Sequence, residues 1–309
     1  MSTTSTPEAS TLPAPAPAAP RRNRHRLSAA LHRHPRLRLV GLLAPILAWL
    51  GVFYLGSLVA LFITSLWGQD PFTAEIVRVW TLDNFRYLIE SEVYRTITLR
   101  TIGIAALVTV IDVLLALPIA LYMAKVASPR VRRLMVVAVL TPLWASYLVK
   151  AYAWRIMFSS DGLVDSTAGL FGLGTPGYGL AATVVTLSYL WLPYMILPIY
   201  AGLERLPNSL LEASVDLGAS TATTLRRVII PTAFPAIIAG SIFTFSLSLG
   251  DYITVKIVGG ANQMLGNVVY DNVGAANNLP FAAAVAVIPV LIMLAYLALA
   301  RRAGALENV

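Results

Sequence analysis

Glu204-Arg-Leu-Pro-Asn-Ser-Leu-Leu-Glu-Ala-Ser-Val-Asp-Leu-Gly-Ala-Ser-Thr-Ala-Thr-Thr-Leu-Arg-Arg-Val-Ile-Ile-Pro231 is a polar interruption between two long apolar runs. Ser209 and Glu212 have the S-x-x-E spacing of a capping box, in which the hydroxyl and the carboxylate each take a free backbone N–H at a helix start. They predict a helix opening after Pro207, with Leu206, Leu210, Ala213 and Leu217 on one apolar face. Gly218 ends it, because glycine accepts the left-handed conformation that closes a helix. Ser220 or Thr221 caps a second helix that runs to Pro231, where it stops before the next apolar run. The segment reads as a helix–glycine–helix hairpin joining two apolar segments.

Those segments are two of six. A bilayer crossing needs about 20 apolar residues, and Leu39–Trp67, Thr101–Ala124, Leu134–Met157, Ala181–Leu203, Ala236–Val255 and Ala282–Ala300 qualify. The first is too long for the apolar region of a cleaved signal and no small-residue cleavage site closes it, so it reads as a retained anchor. Of 309 residues, 57% are hydrophobic and 12% charged, about half the charge of a soluble domain, typically about 25%. The excess apolar content needs lipid. The class is all-α integral membrane with six transmembrane helices.

Charge sets the expected orientation. Residues 21–38 carry Arg21, Arg22, Arg24, Arg26, Arg33, Arg36 and Arg38. On the same side fall Lys125, Arg130, Arg132 and Arg133, then Arg205, Arg226 and Arg227, then Arg301 and Arg302. The loops 158–180 and 259–280 on the other side have no Lys or Arg. The positive-inside rule therefore places both termini in the cytoplasm. Residues 1–38, Ala/Pro-rich and then Arg-rich, are expected to form a disordered tail. Residues 39–93 form a first helix and an outer segment, and 94–303 the main transmembrane domain with the hairpin 204–231. In the outer segment Leu82, Phe85, Leu88 and Ile89 predict a short amphipathic helix along the outer surface.

The net charge of +8 sits at the ends of apolar segments, without an aromatic-basic module, which argues against nucleic acid. There is no cysteine, and His25, His32 and His34 all lie in the tail. No carboxylate cluster with metal-ligand spacing, no nucleophile–histidine set and no phosphate-binding G-x-x-x-x-G-K-[ST] loop appears. The chain reads as non-catalytic, with no cofactor and no metal, so energy must come from a partner.

Asp112 and Asp251 interrupt spans two and five. A carboxylate in hydrocarbon is costly and belongs on a bundle interior or an aqueous path. Each either helps pass a cation or hydrogen-bonds a neighbouring helix, and Asp251 with Tyr252 can instead fix a bend at Gly250. Trp144, Tyr147 and Trp154 are expected on one helix face, as cation-attracting rings or as an interfacial belt. Lys150 and Arg155 are expected to snorkel outward.

The hairpin resembles the E-A-A-x3-G-x9-I-x-L-P signature of ATP-binding-cassette importer permeases. Glu212, Ala213, Ser214, Gly218, Val228, Ile230 and Pro231 stand at its spacings without a gap, with Ser214, Val228 and Ile230 as conservative replacements. The resemblance implies a type I importer permease bundle (MetI-like) in a bacterial inner membrane. It makes Ser209, Glu212, Ala213, Ser214, Leu217, Gly218 and Pro231 the coupling surface for an ATPase dimer. It also implies a second permease subunit, homologue or copy, and an extracytoplasmic binding protein. That protein is expected to meet the outer loops at Asp161, Gly162 and Asn262.

Pro142–Trp154 with Gly162, Ser248–Tyr252, Gly259-Gly260, Met264–Asn267 and Pro280–Ala282 resemble spermidine/putrescine-type permeases over residues 81–302. Lys150 stands where arginine is common. This resemblance implies a polyamine or similar small organic cation as substrate, with Asp112, Trp144, Tyr147, Asp251 and Tyr252 on the translocation path. The alternatives are import of another small solute, or an ion-coupled secondary transporter that titrates Asp112 and Asp251.

Overall fold

The computed structural model describes residues 35–170 and 177–302. The expected tail lies outside them, apart from its last residues. Among the described residues, five helices are long and apolar enough to cross a membrane, and a sharply bent pair makes a sixth when counted as one span.

Helix α1 comprises Pro35–Trp49, a wide π turn Leu50–Leu55, and Gly56–Ser65. Within it Trp49 and Phe53 pack ring to ring at 4.2 Å. The chain then makes a two-residue antiparallel ribbon, with Gly68 opposite Val77 and Gln69 opposite Ile76.

Helix α2, Asp83–Glu90, is the expected amphipathic helix. Its apolar residues divide: Phe85 and Leu88 pack inward, while Leu82 and Ile89 are exposed. Helix α3, Glu92–Val126, is about 50 Å long at 1.5 Å per residue, well beyond the roughly 30 Å of hydrocarbon. Its first turns therefore extend past the expected crossing at Thr101.

The expected continuous third span is corrected. Helix α4, Pro129–Trp144, and helix α5, Tyr147–Met157, meet at 95°. Pro142 removes a helical N–H three residues before the corner, and Ala145 and Ser146 are both extended. The turn lets the polar side of α5 reach partners: Tyr147 bonds Asp251, and Arg155 Nη1 donates to the Ile257 carbonyl at 2.8 Å. Arg155 also lies over the Tyr178 ring at 5.2 Å, so its guanidinium has partners within the chain while the residue stays exposed. Helix α6, Leu163–Leu170, follows.

Helix α7, Leu180–Glu204, is the fourth crossing, and helix α8, Asn208–Asp216, opens the hairpin. Helix α9, Thr221–Leu249, is the fifth. It starts inside the hairpin rather than at Ala236, and it stops before the expected end at Val255. Gly250–Tyr252 interrupt it, and the short helix α10, Ile253–Val258, resumes. Helix α11, Leu265–Gly274, and the last crossing α12, Leu279–Arg302, complete the chain.

Helices α3, α7 and α9 form the core. Small residues let them approach closely: a Cβ on Gly202 would lie 2.6 Å from the Ala236 Cβ, and one on Gly240 would lie 2.8 Å from the Met195 Sδ. This is the packing mode of helices in lipid, where backbone proximity replaces the hydrophobic drive. Ala116, Ala120, Met195, Ile199, Leu203 and Ala233 fill the half nearer the hairpin. Helix α12 joins α9 through Ser241 Oγ and Tyr296 Oη at 2.6 Å and the stacked Phe245 and Tyr296 rings.

Candidate functional site

The hairpin forms at the expected glycine. Gly218 has φ +74°, its N–H donates to the Val215 carbonyl at 2.8 Å, and the Ala219 N–H donates to Ser214 at 3.1 Å. That is the paired closure of a Schellman end, which satisfies two terminal carbonyls. Ser220 Oγ then accepts from the Thr223 N–H at 3.3 Å and caps the second helix.

Three expectations are corrected. Ser209 is not the N-cap: Pro207 is, in extended conformation and without a side-chain bond, so Ser209 and Glu212 lie within the helix and form no capping box. The four-residue apolar stripe divides, because Leu206 precedes the helix and is buried in the core while Leu210, Ala213 and Leu217 are exposed. Leu217, at the tip, is 87% exposed. Pro231 does not stop the second helix, which continues into α9. A π turn, Leu225–Ile229, carries the chain into the proline: the Ile230 N–H bonds the Leu225 carbonyl five residues back. The hairpin's second arm and the fifth crossing are one rod.

Ser214 faces inward and bonds Thr224 across the hairpin, Oγ to Oγ1 at 2.8 Å, in a buried position. The motif comparison treated Ser214 as a substitute for alanine. Here it clasps the two arms, and its partner Thr224 carried no local signal.

On the opposite side, Asp251 lies in the interruption of α9. Its Oδ1 accepts the Thr254 N–H at 2.8 Å and so caps α10, while its Oδ2 accepts from Tyr147 Oη and from Thr254 Oγ1. The Met264–Asn267 motif closes over this break. Asn267 Nδ2 donates to the Tyr252 carbonyl at 3.0 Å, and Gly266 lies so near that a Cβ there would stand 3.0 Å from the carbonyls of Gly250 and Asp251. An open cleft of about 330 Å3 borders the site, lined by Tyr147, Trp191, Ser246, Gly250, Asp251 and Tyr252 among others. Trp191 stacks on Tyr147 at 5.9 Å. Sequence reading passed over Trp191, which looks like any aromatic in an apolar run.

The structure brings Tyr147, Asp251 and Tyr252 together and leaves the other two path candidates elsewhere. Trp144 is 90% exposed at the end of α4. The 95° corner separates it from Tyr147, so the expected aromatic face does not form. Trp154 packs instead on Phe158 and Tyr189. Asp112 is fully buried on α3 and outside the cleft, and among the described residues neither carboxylate oxygen has a hydrogen-bond partner.

The loops that hold Asp161, Gly162 and Asn262 adjoin in sequence the residues of one apolar cluster, Ala151, Phe158, Ala182, Ile257 and Val258, with Val164 against it. Asp161 has φ +70°, and its N–H donates to Asp165 Oδ2 at 3.0 Å. Gly162 sits where a Cβ would be 2.5 Å from the Met157 carbonyl oxygen. Asn262 Nδ2 donates to the Gly259 carbonyl at 3.0 Å.

Comparison with known proteins places this architecture. The chain is 40% identical over 300 residues to the inner membrane ABC transporter permease protein YdcU of Escherichia coli, covering 91% of this chain and 95% of that one. It is 30% identical over 272 residues to the spermidine/putrescine transport system permease protein PotB of the same organism, covering 86% and 98%. Among solved structures, a bacterial ABC transporter involved in import of the acidic polysaccharide alginate shares the fold, with a TM-score of 0.66, 18% identity, and coverage of 90% of this chain and 99% of that one. The MetNI methionine ABC transporter in an inward-facing form aligns with a TM-score of 0.53, 19% identity, and coverage of 69% and 96%. Residues 93–303 match the family described as binding-protein-dependent transport system inner membrane component, and the chain belongs to that family of non-catalytic ATP-binding-cassette importer permeases.

Proposed function

We propose that this permease forms part of the translocation path for a polyamine or similar small organic cation, driven by a cytoplasmic ATPase dimer docked on the hairpin. A second permease subunit completes the path. A binding protein delivers solute to the outer loops around Asp161, Gly162 and Asn262. The observation that carries the substrate class is the Asp251 carboxylate beside a cleft walled by Tyr147, Trp191 and Tyr252. Aromatic faces attract ammonium groups by about 0.5–2 kcal/mol, more when water is excluded. The similarity to PotB supports the same class. The family assignment leaves the ion-coupled alternative without a role.

The test is uptake by the complete complex in liposomes. Labelled spermidine should accumulate only with ATP, and excess putrescine should compete while a neutral sugar should not. ATP-dependent uptake of a neutral or anionic solute with no spermidine uptake would overturn the substrate class.

The orientation has its own test, simplified because the native chain has no cysteine. Ser160 and Ser220 are both exposed. Ser160→Cys should react with an impermeant maleimide in intact cells, and Ser220→Cys should react only after lysis. The reverse pattern would invert the topology.

A further inference from the structure

The cytoplasmic end of α3 opens into a π turn, Tyr122–Val126. A helix end leaves its last carbonyls without partners inside the helix. Arg132, on α4, takes two of them: Nε donates to the Met123 carbonyl at 3.0 Å and Nη2 to the Ala124 carbonyl at 3.1 Å. Its remaining nitrogen, Nη1, lies 3.5 Å from Glu204 Oε1 at the end of α7. Glu204 also accepts from Tyr200 Oη at 3.0 Å.

Lys125 reaches the other way. Its Nζ donates to the Leu206 carbonyl at 2.6 Å and contacts Asn208 Oδ1 at 3.2 Å. Leu206 and Asn208 flank Pro207, where α7 turns into the hairpin. The Leu206 side chain is buried with Met123, Ala124 and Leu203, so this root is pinned from below by packing and from the side by a cation.

We infer that Lys125 and Arg132 are positioning residues that carry displacement of the hairpin into α3 and α4. The inference rests on the hairpin being the ATPase contact. The hairpin already moves α9, with which it is one rod, and α7, to which Pro207 joins it. Both pack on α3 through apolar side chains, but that packing makes no directional tie to α3 and α4. The Lys125 and Arg132 bonds do, and three of them end on backbone carbonyls, so a shift of the hairpin root pulls on the helix itself. Charge-assisted bonds of this kind are roughly twice as strong as neutral ones, and loss of one partner leaves a carbonyl unsatisfied.

The experiment compares Lys125→Met, Lys125→Arg and Arg132→Gln in the complete complex in liposomes, with spermidine as the probe. Lys125→Met should keep the ATPase bound and keep hydrolysing ATP. Spermidine moved per ATP should fall about ten-fold, a coupling loss within the usual allosteric range. Lys125→Arg should restore the ratio, and Arg132→Gln should resemble Lys125→Met. A wild-type ratio in Lys125→Met overturns the inference. So does loss of ATPase binding in that variant, which would make Lys125 part of the docking surface.

A second measurement decides the same point on the permease alone in lipid nanodiscs, whether or not the hairpin reading holds. Spin labels go on Val215→Cys in the hairpin and Leu114→Cys on α3, both exposed positions. Lys125→Met should broaden the distance distribution between them. An unchanged distribution overturns the inference, whereas wild-type ATPase association in Gly218→Val counts against the hairpin reading instead.

Discussion

Gly218→Val is expected to leave the protein in the membrane at its normal level and to remove the ATPase from it. The left-handed backbone at Gly218 costs an ordinary L-residue about 1–2 kcal/mol, and a β-branched residue more. Among the described residues beyond its two chain neighbours, no atom lies within 4 Å of where a Cβ would stand, so neighbours do not resist the side chain and the strain is in the backbone. The chain relieves it by leaving φ +74°. That breaks the bonds from the Gly218 and Ala219 N–H groups to Val215 and Ser214 and swings α8 against α9. Leu217, the exposed apolar tip, moves with it. A docking surface displaced in this way should lose at least ten-fold in affinity, which is about 1.4 kcal/mol. ATPase recovered by pull-down should fall accordingly, and solute-stimulated hydrolysis should drop to the basal rate. Gly218→Asn is the control, because asparagine visits the left-handed region far more readily, and it should retain most of the association. Equal, wild-type association in both variants would refute the assignment of the hairpin as the ATPase contact.

Asp251→Asn is expected to abolish most uptake of a polyamine while the complex stays assembled. The geometry separates two roles of this side chain. As a cap, Asp251 accepts the Thr254 N–H at 2.8 Å, and the amide oxygen of asparagine can do the same. As a charge beside the cleft, it meets a passing ammonium with a Coulomb attraction of about 4 kcal/mol at 4 Å and an effective dielectric constant of about 20. Asp251→Asn keeps the bond from the Thr254 N–H but loses the charge and the acceptor that Oδ2 offers to Tyr147 and Thr254, and a reduction of about 100-fold or more in uptake per complex is expected from the Coulomb magnitude. Asp251→Ala removes both roles and should also lower the melting temperature in detergent, since loss of such a cap costs about 1 kcal/mol. Full uptake in Asp251→Asn with reduced stability in Asp251→Ala would leave Asp251 as a cap alone and withdraw the main support for a cationic substrate.

The sequence by itself determined the elements whose signals are local. Apolar length placed the crossings, and the turn chemistry of Gly218 and Ser220 placed the hairpin and its left-handed corner. The gapless spacing from Glu212 to Pro231 identified the family. It placed the first helix start after Pro207 but gave it the wrong cap, because Pro207 in extended conformation opens α8 without the Ser209 hydroxyl. It also treated Pro231 as a stop, whereas a π turn widens the helix in advance of the proline.

Tertiary structure alone decided the rest. Leu134–Met157 is apolar enough for one helix, and only the pairing of Tyr147 with Asp251, 104 residues apart, and of Arg155 with Ile257 rewards a 95° corner at Ala145 and Ser146. The same distant partners end α9 at Gly250 and recruit Trp191 to the cleft wall. Ser214 and Thr224 lie on the two arms of the hairpin, and Lys125 and Leu206 lie 81 residues apart. Periodicity records which face of a helix is apolar. It carries no record of which polar group on another helix a side chain will meet, because that depends on how close the small residues Gly202 and Gly240 let α7 and α9 come.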